Sequence, residues 1–141
     1  MEFIDKEINI NPTDELTKLT EIFENIIQSE GLINANLFCW LPHEVASLVL
    51  AEADPNFLAD IKDYLAETIP SGKWTKHDEP DTPFRYNAHE HLRTKVIGHH
   101  SMTLLVKDSK IWWGQYQDLY LYDPVYRQKP NKKIFVRIIK L

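Results

Sequence analysis

Six histidines stand out in this 141-residue chain, and five of them, His77, His89, His91, His99 and His100, fall within 24 residues. Imidazole is the commonest side-chain metal ligand and the usual acid–base group near neutral pH. Three converging imidazoles with water would suit Zn²⁺ or a related divalent ion. The compact metal signatures are missing, with no His-Glu-x-x-His and no paired cysteine. Direction thins the candidates. On a helix His89 and His91 diverge by about 200° and cannot both face one ion, and on a strand His99 and His100 point to opposite faces. His43 follows an apolar segment that Pro42 stops, and it joins such a site only if that segment runs beside the element carrying His91. The rival reading gives the histidines surface, capping or intersubunit roles.

Trp112, Trp113, Tyr116, Tyr120, Tyr122 and Tyr126 cluster around Gly114-Gln115-Tyr116-Gln117. They read either as a stacking wall for a heteroaromatic ligand or as core and subunit-interface packing, where aromatics are enriched. Cys39 is the single cysteine and sits in Leu37-Phe38-Cys39-Trp40-Leu41. It is expected to be a buried, inert thiol, with no internal disulfide and a reducing compartment.

These groups must be positioned by a small set of elements. Ile4, Ile8 and Ile10 share one face of a strand over Phe3 to Ile10. Asn11-Pro12-Thr13-Asp14 then carries helix-start signals, and Leu16, Leu19, Ile22, Phe23, Ile26 and Ile27 follow at three- and four-residue steps up to Gly31. A buried strand is expected over Leu32 to Leu41, an ambiguous apolar segment over Ala46 to Leu50, and a helix from Asp54-Pro55 with Phe57, Leu58, Ile61, Tyr64 and Leu65 on one side. Pro70 to Pro83, holding Trp74 and His77, is the one long loop, and loops of that length are usually functional or mobile. Asn87 opens a short helix running through His91 to Gly98. Strands then follow over Ser101 to Val106, Lys110 to Trp113, Leu119 to Tyr122 and Lys133 to Ile139, with Lys107-Asp108-Ser109 as a hairpin turn. Lys129, Lys132, Lys133 and Arg137 suggest a solvated edge strand at the end, where lysines block sheet-to-sheet pairing.

Helices early and strands late make a single α+β domain over 1–141, its helices on one face of a mixed, largely antiparallel sheet. Hydrophobic residues at 43% and charged residues at 26% are globular values. Sixteen basic against twenty-one acidic residues leave a net charge of −5, which repels nucleic acid on average. Four glycines leave little for a phosphate-cradling loop. Acidic residues interrupt the first ten positions, so no signal peptide is expected, and no apolar run approaches the ~20 residues of a membrane span. A cytoplasmic protein without nucleic-acid or membrane partners is the expectation.

In order along the chain come Gly31-Leu32, Pro42-His43-Glu44-Val45, Ala51-Glu52-Ala53-Asp54-Pro55, Lys76-His77-Asp78, Asn87-Ala88-His89-Glu90-His91-Leu92-Arg93 and Gly114-Gln115-Tyr116-Gln117. This ordered set resembles the YjbQ family over about residues 31 to 139. Members carry a Gly-Leu strand ending in His-Thr-Thr or His-Thr-Ser, then Asn-Glu-Asn-x-Asp-Pro. A loop histidine, a His-Leu-Lys helix and a Gly-Thr-Trp-Gln turn follow. The resemblance implies a sheet curled into a half-barrel, a homotrimer, and a divalent metal ion (Zn or Mg) on His43, His77 and His91. It implies catalytic roles for His91, His77 and Glu52 and ligand-binding roles for Arg93, Gln117 and Tyr116.

The activity attributed to the family is thiamine-phosphate synthesis, joining a pyrimidine diphosphate to a thiazole phosphate with loss of pyrophosphate. The motif departs from the family pattern in several places. Glu44 and Val45 replace two hydroxyl residues, alanines flank Glu52, and Gln115-Tyr116 replaces Thr-Trp. Added carboxylate weakens phosphate binding by like-charge repulsion and suits a metal better. The alternative is a non-enzymatic trimeric binding protein for a small heteroaromatic or phosphorylated ligand.

Overall fold

The computed structural model describes residues 1–78 and 86–141, so Pro83 and the end of the expected loop lie outside the described residues. Among the described residues eight strands and three helices follow in the order β1 (Phe3–Ile10), β2 (Leu16–Lys18), α1 (Thr20–Ser29), β3 (Ala35–Trp40), β4 (Ser47–Ala51), α2 (Pro55–Thr68), α3 (Ala88–Ile97), β5 (Ser101–Lys107), β6 (Lys110–Ile111), β7 (Asp118–Tyr122) and β8 (Lys132–Lys140). The fold is α+β. Five strands pair in the order β1-β8-β3-β5-β6 and three in the order β2-β7-β4. Every pairing among the described strands is antiparallel, so the mixed sheet expected from sequence is not found. One antiparallel bridge, Leu48 to His99, ties the two sheets together, and they do not close into a barrel.

The first helix begins later than its sequence signals. Leu16, Thr17 and Lys18 pair with Tyr122, Leu121 and Tyr120 as strand β2, and α1 starts at Thr20. Tertiary pairing overrides the cap at Asn11-Pro12, because Leu19 N–H donates to Leu119 O at 2.7 Å and Thr20 Oγ1 donates to Asp118 Oδ1 at 2.8 Å. The stripe itself is real: Leu19, Phe23 and Ile27 are buried, and Gly31 turns the chain at φ +59°. Helix α2 uses the expected cap, with Asn56 N–H donating to Asp54 Oδ1 at 3.0 Å. Leu65 is its buried anchor, backed by Leu58 and Ile61, while Phe57 and Tyr64 turn out to be exposed. The Asp108-Ser109 hairpin also forms, both residues taking positive φ, as a tight two-residue turn requires.

Strand β8 is not an edge. It lies between β1 and β3, paired along both sides. Period-two alternation sends Lys132, Ile134, Val136 and Ile138 inward, and Lys132 pairs with Asp123 inside.

The main core fills the space between the five-stranded sheet, α1 and one face of the small sheet, with Leu37, Leu104, Ile134, Leu119 and Leu121 among its members. The opposite face of the small sheet makes a second core, where Tyr120 and Tyr122 meet Leu65 and Ile69, backed by Trp74 and Ile97. The aromatic cluster is thereby divided: Tyr120 and Tyr122 are core, whereas Trp112 and Tyr116 are exposed. Cys39 is buried as expected, and burial pushes its thiol up to about 12.

Gly98 joins α3 to β5 beside β4. A Cβ there would meet Leu48 O at 2.3 Å and Val49 Cγ2 at 2.8 Å, although the backbone is extended and unstrained. Gly98→Ala is expected to destabilise the fold by about 1–3 kcal/mol, the usual cost of overpacking. Urea unfolding measures it, and an unchanged midpoint contradicts this packing.

Candidate functional site

The loop before α3 is held down by its own indole: Trp74 Nε1–H donates to Pro70 O at 2.8 Å, and Trp74 packs against the second core. Asp78 ends the described part of the loop. Its Oδ1 accepts from Ala88 N–H at 3.1 Å, at the first residue of α3, and lies 3.0 Å from His77 Nδ1. Burial works to raise the Asp78 carboxyl, but the bonds from His77 and from Ala88 N–H outweigh it and hold Asp78 below the ordinary carboxylate range. One turn into α3, His91 meets His77, their ring centroids 4.8 Å apart and their planes at 50°. A mainly apolar pocket of about 400 Å³ opens beside the pair, lined by Lys73, Trp74, Lys76 and Leu92 as well as the two imidazoles.

Glu44 also approaches His91. Its Oε1 lies 3.8 Å from His91 Nδ1 and 2.8 Å from Lys95 Nζ, and Lys95 holds the Glu44 carboxyl below its usual range. Burial first, and then the neighbouring His77, push His91 below the usual imidazole range, so His91 is neutral near pH 7. A neutral imidazole in contact with a second one can accept a proton, share one, or donate a lone pair to a bound group.

His43 is elsewhere. Its Nε2 accepts from Lys133 N–H at 2.8 Å, and its carbonyl lies 2.8 Å from His100 Nε2. It lines a separate cavity of about 250 Å³ with Asn131, Lys132 and Gln128. Among the described residues of one chain, no group of three His, Cys, Asp or Glu stands ready to hold a metal ion. The segment after Pro42 brings Glu44, not His43, to His91. His89 turns away into the body of the protein as helix geometry requires, and its Nδ1 is buried with no hydrogen bond.

The other residues singled out in the sequence do not join the pair within one chain. Arg93 Nε–H donates to Ile69 O at 3.0 Å and interacts with Tyr122. Gln117 Oε1 is occupied by Gly114 N–H at 2.8 Å, Tyr116 is exposed, and the Glu52 side chain is exposed with no hydrogen bond or ion pair to the described residues. Glu52 and the Gly114–Gln117 turn lie where Ala51 pairs with Asp118, at the far end of β4 from Glu44. Five strand residues put about 13 Å between those ends. Asp78, the residue that ties loop to helix, carries no sequence signal beyond being an acid next to a loop histidine.

Burial depresses His43, His89 and His91, with Lys132, Arg93 and His77 respectively adding to the effect. In the unfolded chain these groups titrate near 6.5. The stability from their neutral forms is therefore complete above about pH 6.5 and lost as pH falls through the folded values. Glu90, raised by burial, acts in the opposite sense. With three imidazoles against one carboxyl, the unfolding free energy is expected to fall between pH 7 and pH 5. Urea unfolding at both values checks the sign, and His91→Gln should flatten the slope.

Fold and site together define a small α+β protein that presents a paired-histidine pocket at the start of its third helix. The family model described as UPF0047 protein YjbQ-like matches residues 6–141, and the chain belongs to that family. A UPF0047 protein of Archaeoglobus fulgidus is 30% identical over 104 residues, covering 73% of this chain and 75% of the relative. Another, from Methanothermobacter thermautotrophicus, is 26% identical over 106 residues, covering 75% and 71%. Among solved structures, a YbjQ-like protein of unknown function from Sulfolobus solfataricus superposes with a TM-score of 0.82 at 22% identity, covering 99% of both chains. A hypothetical protein of Aeropyrum pernix gives 0.75 at 24% identity over 100% and 98%. Both structural likenesses concern the fold.

No helix among the described residues is long and apolar enough to cross a membrane.

Proposed function

We propose that the chain binds a small heteroaromatic or phosphorylated ligand in the pocket beside His77 and His91. The contact between these two imidazoles, in a pocket otherwise mostly apolar, is the observation that carries the reading. Trp74 offers an apolar wall, Lys73 and Lys76 offer cations for an anionic group, and neutral His91 offers a proton acceptor. Pockets of this size with a few convergent polar groups are the usual small-molecule sites.

A divalent ion, Zn or Mg, fits the pair in part. Metal-bound histidines usually have a carboxylate on the other ring nitrogen, as Asp78 is on His77, but His43 is engaged with Lys133 N–H. Such an ion, when bound, would supply positive charge for a leaving diphosphate.

A synthase-type transfer is the second reading, favoured by a neutral acceptor beside lysines. Its cations would be Lys73 and Lys76, since Arg93 is engaged with Ile69 O. Calorimetric titration with thiamine monophosphate tests the binding reading. Wild type is expected to bind, with Trp74→Ala and His91→Ala each weakening affinity about tenfold or more. No heat at millimolar ligand would remove the proposal. Growth of a thiamine-requiring strain on expressing the chain would support the transfer, and no growth at full expression would count against it. Elemental analysis of untagged protein decides the metal.

The half-barrel curl and the homotrimer belong to the same proposal. The outer face of the five-stranded sheet leaves Phe38, Trp40 and Phe135 exposed around a groove of about 940 Å³. Contiguous exposed apolar surface marks interaction sites, so this face is where copies would meet. Light scattering should give three chain masses, and Trp40→Glu with Phe135→Glu should give one.

A further inference from the structure

We infer that Asp78 is a positioning residue that fixes the tautomer of His77, and through it the ligand chemistry the pocket accepts. The inference rests on the pocket reading above. One carboxylate oxygen does two things: it accepts from Ala88 N–H at 3.1 Å and lies 3.0 Å from His77 Nδ1. An ionised carboxylate only accepts hydrogen bonds. His77 Nδ1 must therefore carry a proton, and when the ring holds only that one its lone pair lies on Nε2. The Asp78 side chain is 8% exposed, whereas the His77 side chain is 39% exposed and lines the pocket.

Two consequences follow from that single oxygen. The loop carrying His77 and the helix carrying His91 are pinned to the same atom, so the imidazole contact depends on Asp78 although Asp78 is not among the groups lining the pocket. And in that singly protonated ring Nε2 can only accept. The matching ligand class is therefore one that presents an N–H or O–H donor at this point, such as a ring amine, and not one that presents only a carbonyl or phosphate oxygen. Phosphate is left to Lys73 and Lys76 at the pocket margin.

The experiment is a long-range ¹H–¹⁵N spectrum of the ligand-free, ¹⁵N-labelled protein at pH 8, with the His77 signals assigned by their loss in His77→Gln. Wild type is expected to show His77 as the Nδ1–H form. Asp78→Asn keeps an oxygen for Ala88 N–H, so its unfolding midpoint should stay near wild type. Charge-assisted bonds are roughly twice as strong as neutral ones, so its His77 tautomer ratio should fall several-fold. Asp78→Ala should lower that ratio by about tenfold or more and destabilise the start of α3. An Nε2–H tautomer in wild type overturns the inference, and so does an unchanged ratio in folded Asp78→Asn. Because no ligand is present, failure here is distinct from failure of the binding reading, which only the calorimetric titration probes.

Discussion

Replacing Lys132 with alanine is expected to cost about 3–5 kcal/mol of folding free energy, the scale for breaking a buried ion pair. Lys132 is 3% exposed and Asp123 fully buried, with Lys132 Nζ 2.9 Å from Asp123 Oδ2. Lys132 also donates to Lys129 O, and Asp123 Oδ1 accepts from Val125 N–H at 3.1 Å. Truncating the lysine leaves a carboxylate in the interior with no counter-charge, and that residual charge dominates the loss. The double variant Lys132→Met with Asp123→Leu removes both charges while keeping bulk, and should recover most of the stability, since hydrophobic replacements of buried pairs are often neutral or better. Urea unfolding of the two variants separates these terms. A single-variant loss below about 1 kcal/mol, the scale of a solvated surface pair, would mean the pair reaches water. The effect should extend to the neighbouring cavity, because Lys132 lines it beside His43 and the adjacent Lys133 N–H bonds that ring.

Phe23→Ala should be comparably severe, about 3–5 kcal/mol for a large-to-small change in a closed core. Phe23 is fully buried on α1, in the same stripe as Leu19 and Ile27, and α1 packs against β6 and β7. The removed ring cannot be replaced by local collapse, since Leu19 N–H is tied to Leu119 O and Thr20 Oγ1 accepts from Leu119 N–H at 3.1 Å. Phe23→Leu should cost much less, because most of the volume stays. Equal losses for alanine and leucine would show that shape at this site matters more than volume. The two changes probe different terms, a buried charge at the start of β8 and apolar volume under α1, and losses that add to within about 0.5 kcal/mol in the double variant would show the sites to be independent.

Family membership and function stand apart. The match over residues 6–141 makes the chain a UPF0047 member, whereas the altered residues near the proposed pocket bear on the binding proposal. Glu44 is the clearest case. It stands where the resemblance leads one to expect a hydroxyl, and in the fold it lies between His91 and Lys95, adding negative charge beside the imidazole pair. Like-charge repulsion there disfavours an anionic group on this side of the pair.

Much of the architecture was legible along the chain because its signals are local. The alternation of Ile4, Ile8 and Ile10, the Asp54-Pro55 cap and the Asp108-Ser109 turn each depend on a few neighbouring residues, and each appears as read. Leu16 misled because its spacing fits a helix stripe as well as a short strand, and only the partner Tyr122 across β7 decides between them. The lysines of β8 misled for the same reason: charge suggests an edge, while the number of neighbouring strands is a property of the whole sheet.

By itself, the sequence determined that histidines were the candidates for chemistry, that His89 and His91 would part company, and that Cys39 would be buried. Periodicity and local chemistry suffice for such statements. Only the tertiary structure decided that His77 meets His91 while His43 binds the backbone of β8, and that Glu44 and Asp78 flank the pair. Those contacts join residues far apart in the chain, and their distances depend on how loop, helix and sheet pack together, which no spacing along the sequence encodes.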